Sequence, residues 1–163
     1  MRNFIYFTEE DTVNICLGKY VESFKLITSD WDRFDYVNQW KHAVRFSLEH
    51  VQPAALIKRY ESPRNKISNI EIYTIIPKNF LFDNEENEDF YITESFIFIT
   101  DNILVLGSKD NFEEIYEGYG NYFPIYYFDA DMMECFYTYL SGEIYGISHW
   151  DVSAEQIKEI LTL

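Results

Sequence analysis

WDRFDYVNQWKHAVRFSLEHV, residues 31–51, decides how this chain is read. Its apolar residues Phe34, Val37, Trp40, Val44, Leu48 and Val51 recur at steps of three or four, the period of one helical face. Asp35, Asn38, Lys41, His42, Arg45 and Glu49 fall on the other side. Asp30 or Asp32 can cap the start, because a short carboxylate accepts one of the unpaired N–H groups there. Pro53, with no N–H of its own, ends the helix. The spacing therefore predicts a helix over Asp32–Val51. Burying Phe34, Val37, Trp40, Val44 and Leu48 contributes about 8–15 kcal/mol gross, most of it offset by ordering entropy.

Around that helix the chain reads as strands. Asn3–Thr8, Thr12–Leu17 and Tyr20–Ser29 form a meander, with Gly18-Lys19 as a tight turn suited to type II′. The alternation slips at Phe24-Lys25-Leu26, where a bulge fits. Ala54–Glu61, Ile70–Ile76, Phe90–Thr100, Ile103–Leu106, Phe123–Phe128 and Gly142–Trp150 are further strands. Asn79–Phe82 is a short apolar piece, and Phe112–Tyr119 and Met132–Leu140 are candidate short helices. Ser153–Leu163 is a final helix with Ser153 as its cap and Gln156 completing a capping box. The expected fold is α+β: one domain over residues 1–163, with a mainly antiparallel curved sheet of about seven to nine strands. That sheet packs on the long helix and on the C-terminal helix.

Charge narrows the function. The chain carries 13 Lys and Arg against 28 Asp and Glu, a net charge of −15. Residues 1–80 hold 11 basic and 10 acidic side chains, whereas residues 81–163 hold 2 basic and 18 acidic. Direct binding of nucleic acid needs the opposite sign. A basic protein partner, or a divalent cation, is what such a half attracts. Two cysteines, Cys16 and Cys135, lie in apolar runs and read as buried thiols. Neither a signal peptide nor an apolar run long enough to span a bilayer is evident, so a soluble cytoplasmic protein is expected.

Signatures of catalysis are missing. No GxSxG, Walker loop or GxGxxG occurs. Asp129-Ala130-Asp131 has the look of a metal-binding acidic pair, but it precedes a predicted helix, where Asp is favoured as a cap. The acidic run Asp83–Asp89 lacks the glycine an EF-hand loop requires. His42 and His50 are two turns apart on the helix, about 12 Å, too far to share a metal. His149 has no Cys or His partner at zinc-site spacing, and Cys16 has neither a CxxC partner nor an evident activating base. The aromatic run Tyr119–Phe128 could stack on bases, yet its acidic surroundings favour a core or protein-contact role. No cofactor or metal is expected.

Several segments in order carry a resemblance. Tyr36-Val37-Asn38-Gln39-Trp40-Lys41 leads to Ala55-Leu56-Ile57 and Ser62-Pro63. Later, Gly142–Trp150, ending Ile147-Ser148-His149-Trp150, precedes the helix over Val152–Leu161. Together they resemble immunity proteins of bacterial contact-dependent growth inhibition systems. The family pattern has a YxxQW-K helix, an aliphatic strand ending near proline and a late G-x-IS-x-W strand before a last helix. The chain departs at His149, where that pattern has an acidic residue. The resemblance implies a non-enzymatic cytoplasmic protein that binds the C-terminal toxin domain of a delivered effector, commonly a nuclease with a basic cleft.

With that partner, the expected contact surface has two acidic clusters. One is Asp83, Glu85, Glu86, Glu88 and Asp89. The other is Asp110, Glu113, Glu114 and Glu117, with Tyr116, Tyr119 and Tyr122 as desolvated anchors. The alternatives are an acidic nucleic-acid mimic that regulates another basic protein and, behind it, a metal-dependent enzyme.

Overall fold

The computed structural model describes residues 4–51, 54–61, 68–81, 88–100 and 148–163. Its first sheet is the expected meander. Strands β1 (Ile5–Phe7), β2 (Thr12–Leu17) and β3 (Tyr20–Lys25) pair antiparallel in the order β1-β2-β3. Leu17 and Tyr20 close the hairpin around Gly18-Lys19. Gly18 has φ +63 and Lys19 does not take positive φ, the pattern of a type II′ turn. The bulge expected at Phe24 is not formed. Thr12–Lys25 and Val13–Phe24 are in regular register, and the strand simply ends. Leu26 then turns inward to 2% exposure while its N–H donates to the Asp11 carbonyl.

The organising helix, α1, runs Arg33–His50. Asp32 caps it as half of a reciprocal box with Asp35, and Val51 ends it in the left-handed region at φ 51. The buried face is rotated from the expected one. Tyr36, Gln39, Trp40, Ala43, Val44, Phe46 and Ser47 are buried, whereas Phe34 is 58% exposed and Val37 and Leu48 are half-buried. The reason lies in what α1 packs against. A hydropathy pattern places Gln39 and Ser47 outside, but Gln39 is drawn in by hydrogen bonds to the edge of a strand.

That strand, β4 (Ala54–Glu61), opens the second sheet. It pairs antiparallel with β5 (Ser68–Pro77), whose other side takes β6 (Phe90–Thr93) and then β7 (Phe96–Thr100). Phe90–Thr100 is thus two strands, not one, interrupted at Glu94-Ser95. One turn of helix, α2 (Lys78–Leu81), follows β5. Strand β8 (His149–Val152) pairs with β6, giving the order β4-β5-β6-β8 with β7 alongside β5. Ser153 caps α3 (Ala154–Glu159) through the expected box with Gln156, and the chain tightens into a 3-10 turn at Ile160–Thr162.

The antiparallel α+β class is therefore as expected, with the strands divided between two sheets. One cluster of buried side chains joins them, including Val13 and Ile15 from β2, Trp40 and Phe46 from α1, Leu56 and Ile57 from β4, Ile75 from β5 and Ile157 from α3.

Candidate functional site

The open edge of β4 shows how the helix is fixed. Gln39 Nε2 donates to the Ala55 carbonyl at 2.9 Å, and the Ile57 N–H donates to Gln39 Oε1 at 2.8 Å. Trp40 Nε1 donates to the Ile57 carbonyl at 2.8 Å. One turn earlier, the Tyr36 hydroxyl accepts the Tyr60 N–H at 3.0 Å and donates to the Ile27 carbonyl at 2.7 Å. Burial, partly offset by the Tyr60 backbone bond, pushes the Tyr36 phenol up to about 12. The YxxQW segment is thus an edge cover: its three polar side chains bond the backbone of β4 as a neighbouring strand would. Ile57 and Tyr60 both face this edge because the register shifts at Lys58, where β4 carries an extra residue.

Lys58 itself centres a polar cluster between the sheets. Its ammonium bonds the carboxylates of Glu22 on β3 and Glu71 on β5, the latter at 3.2 Å. The Tyr73 hydroxyl donates to Glu22 at 2.7 Å and Ser95 donates to Glu71 at 2.9 Å. Burial pushes the Glu22 carboxyl up, but the Lys58 and Tyr73 hydrogen bonds and the Lys58 charge outweigh it and hold it below its usual value. Burial and then Glu22 push the Tyr73 phenol up. Glu22 and Glu71 each accept from Lys58 and from one hydroxyl, so the arrangement clamps the sheets together.

Of the expected contact residues, Glu88 and Asp89 are described. Asp83, Glu85, Glu86, Asp110, Glu113, Glu114, Tyr116, Glu117, Tyr119 and Tyr122 lie outside the described residues, as do Asp129 and Asp131. Glu88 is exposed and lines a cleft of about 280 Å³ together with Leu48 and Lys158. Asp89 is half-buried, and its Oδ1 accepts the Ala154 N–H at 3.0 Å. A carboxylate there complements the positive start of α3. Nearby, Lys78 Nζ meets Asp151 at 2.6 Å, and that bond raises the Lys78 pKa. Nothing local in the sequence signals the Asp89–Ala154 bond, which joins positions 65 apart.

A larger concavity opens beside the start of α1, where the expected face turned outward. This groove, of about 870 Å³, has Phe7, Phe34, Val37 and Leu163 as apolar lining. Glu10, Asp11 and Asp32 stand at it too. Periodicity hides this groove, because it places Phe34 and Val37 on the core face of the helix. Among the described residues no group of three His, Cys, Asp or Glu side chains is placed to hold a metal ion, and no helix is long and apolar enough to cross a membrane.

Two packed antiparallel sheets, a long helix closing one strand edge and a short capped helix define an α+β fold with a match among solved structures. It is similar to a chain of the CdiA-CT/CdiI toxin and immunity complex from Enterobacter cloacae, with a TM-score of 0.54 and 17% sequence identity. The likeness covers 99% of this chain and 92% of that one, so the two share an architecture nearly end to end. No family model matches the chain, and no curated protein sequence matches it significantly.

Proposed function

We propose that this chain is an immunity protein, which binds the toxin domain of a contact-dependent growth inhibition effector in the cytoplasm and neutralises it without catalysis. The observation that carries this is the near end-to-end likeness to a chain of a toxin and immunity complex. It is supported by the YxxQW segment, whose side chains make the edge cover of β4. The net charge of −15, concentrated after residue 80, favours a basic target such as a nuclease with a phosphate-binding cleft. Acidic side chains would steer the encounter with that cleft and raise the association rate at low salt. The clusters at 83–89 and 110–117, with Tyr116, Tyr119 and Tyr122, are the surface we assign to it.

The test is a calorimetric titration against the toxin domain encoded beside this chain, at low and moderate salt. Nanomolar one-to-one binding with toxin activity lost at equivalence is the expected outcome. Charge reversal over 83–89 should slow association at low salt; an unchanged rate and affinity would remove that cluster from the surface. The same acidity would serve a nucleic-acid mimic. That reading predicts several basic partners where immunity predicts one.

A further inference from the structure

Beside the start of α1, an exposed apolar surface and a set of carboxylates share one groove. Phe34 is 58% exposed and Leu163 36%, and Phe7 and Val37, which also line it, are half-buried. Glu10 and Asp32 are exposed, and Asp11 is half-buried. Arg33, the cation among the described lining residues, is turned onto its own protein. Its guanidinium lies 3.6 Å above the Phe7 ring centroid, and its Nη1 donates to the Glu10 carbonyl at 3.0 Å. The groove is therefore apolar within and negative at the rim, and at about 870 Å³ it has room for more than one side chain.

We infer that this groove docks a segment of a basic protein partner. An aliphatic or aromatic side chain of that segment inserts against Phe34 and Val37, and flanking lysines or arginines meet Glu10, Asp11 and Asp32. The inference rests on the reading that the chain binds a basic toxin, and it adds a second contact region on the nearly neutral half of the sequence. The inserted side chain supplies the hold and the rim supplies rate and orientation. A second copy of this chain is a poor occupant, because two molecules of net charge −15 would meet across an acidic rim.

The experiment compares wild type, Phe34→Ala and the double variant Glu10→Lys/Asp11→Lys, each as the full chain, against the toxin domain encoded beside it. Phe34→Ala should weaken binding about tenfold or more through faster dissociation. The double variant should slow association about tenfold at low salt, with the difference shrinking as salt rises. Unchanged melting temperatures keep these readings free of folding effects, and should Phe34→Ala fold poorly the double variant decides alone. Affinities within about twofold of wild type in both variants overturn the groove assignment while leaving immunity standing. If wild type does not bind the toxin domain, the immunity reading falls. The groove is then judged with a short lysine-rich peptide carrying one phenylalanine, followed by amide chemical shifts. Shifts at Phe34 and Val37 that vanish in Phe34→Asp support a basic, apolar-anchored occupant; no shifts overturn it. A wild-type dimer abolished by Phe34→Ala would overturn it in favour of a second copy.

Discussion

Gln39 holds the backbone of Ile57 and of Ala55, two positions before it, as a strand would: its amide oxygen accepts the Ile57 N–H at 2.8 Å while its amide nitrogen donates to the Ala55 carbonyl at 2.9 Å. Both bonds are buried, and Gln39 is 0% exposed. Gln39→Ala leaves a donor and an acceptor on β4 without partners, where water does not reach. Such groups cost about 1–3 kcal/mol each. Urea denaturation should show a loss of about 2–4 kcal/mol. A loss below about 0.5 kcal/mol would mean that the edge finds other partners.

Tyr36 makes the corresponding contact one turn earlier, and titration exposes it. Its phenol is raised from 10.0 to about 12 in the folded protein. The unfolded chain therefore loses its proton first, so the stability tied to this group is complete below pH 10 and declines between pH 10 and 12. Tyr36→Phe should remove that part of the alkaline decline, and at neutral pH should cost about 1–3 kcal/mol through the unpaired Tyr60 N–H and Ile27 carbonyl. Melting curves across the alkaline range separate the two effects.

Gly18 is constrained twice. Its φ of +63 suits glycine, and a Cβ added there would stand 2.6 Å from Trp150 Cδ1 on β8. Gly18→Ala should destabilise by about 1–3 kcal/mol. Adding Trp150→Ala should recover the steric share but not the backbone share, so a double-mutant cycle should give a favourable coupling between the two positions. Strict additivity would show that the hairpin tip shifts away from β8 at little cost.

The Lys58 clamp sets the acid behaviour. Glu22 is held below its reference value of 4.5, so its contribution is present above that value and is lost as pH falls through the lower folded one. Lys58→Met leaves Glu22 and Glu71 facing one another without the cation. Stability should then rise, not fall, on acidification toward pH 4.5, because protonation relieves the repulsion. A variant whose stability keeps the wild-type pH profile would show that the clamp contributes nothing.

Local signals were legible and long-range ones were not. Thr12–Leu17 and Ala54–Glu61 alternate or run apolar between turn residues, and both strands fall at the residues the pattern marks. The caps are short-range chemistry: Ser153 stands where the sequence puts it, and Asp32 is one of the two candidates the sequence offers for α1. The face of α1 misleads, because hydropathy scores Gln39 as solvent-facing when its partners are strand groups 16 and 18 positions away. The same misassignment hid the groove, since Phe34 reads as core unless the rotation of the helix is known. Asp89 likewise reads as one more surface charge, and its bond to Ala154 emerges only when β6 and β8 pair.

The extra residue at Lys58 makes the length of β4 a constraint separate from its composition. Backbone groups along a strand point alternately to its two edges, so Ile57 and Tyr60, at odd separation, can both address α1 only with one position inserted between them. Removing Lys58 would erase the bulge and leave Tyr60 two positions after Ile57, still facing α1. The inserted position is therefore not what seats the helix; it supplies the Lys58 ammonium that joins Glu22 and Glu71. Losing both Lys58 and Arg59 would instead set Tyr60 directly after Ile57 and swing its polar groups toward β5, so this interval tolerates one deletion and not two.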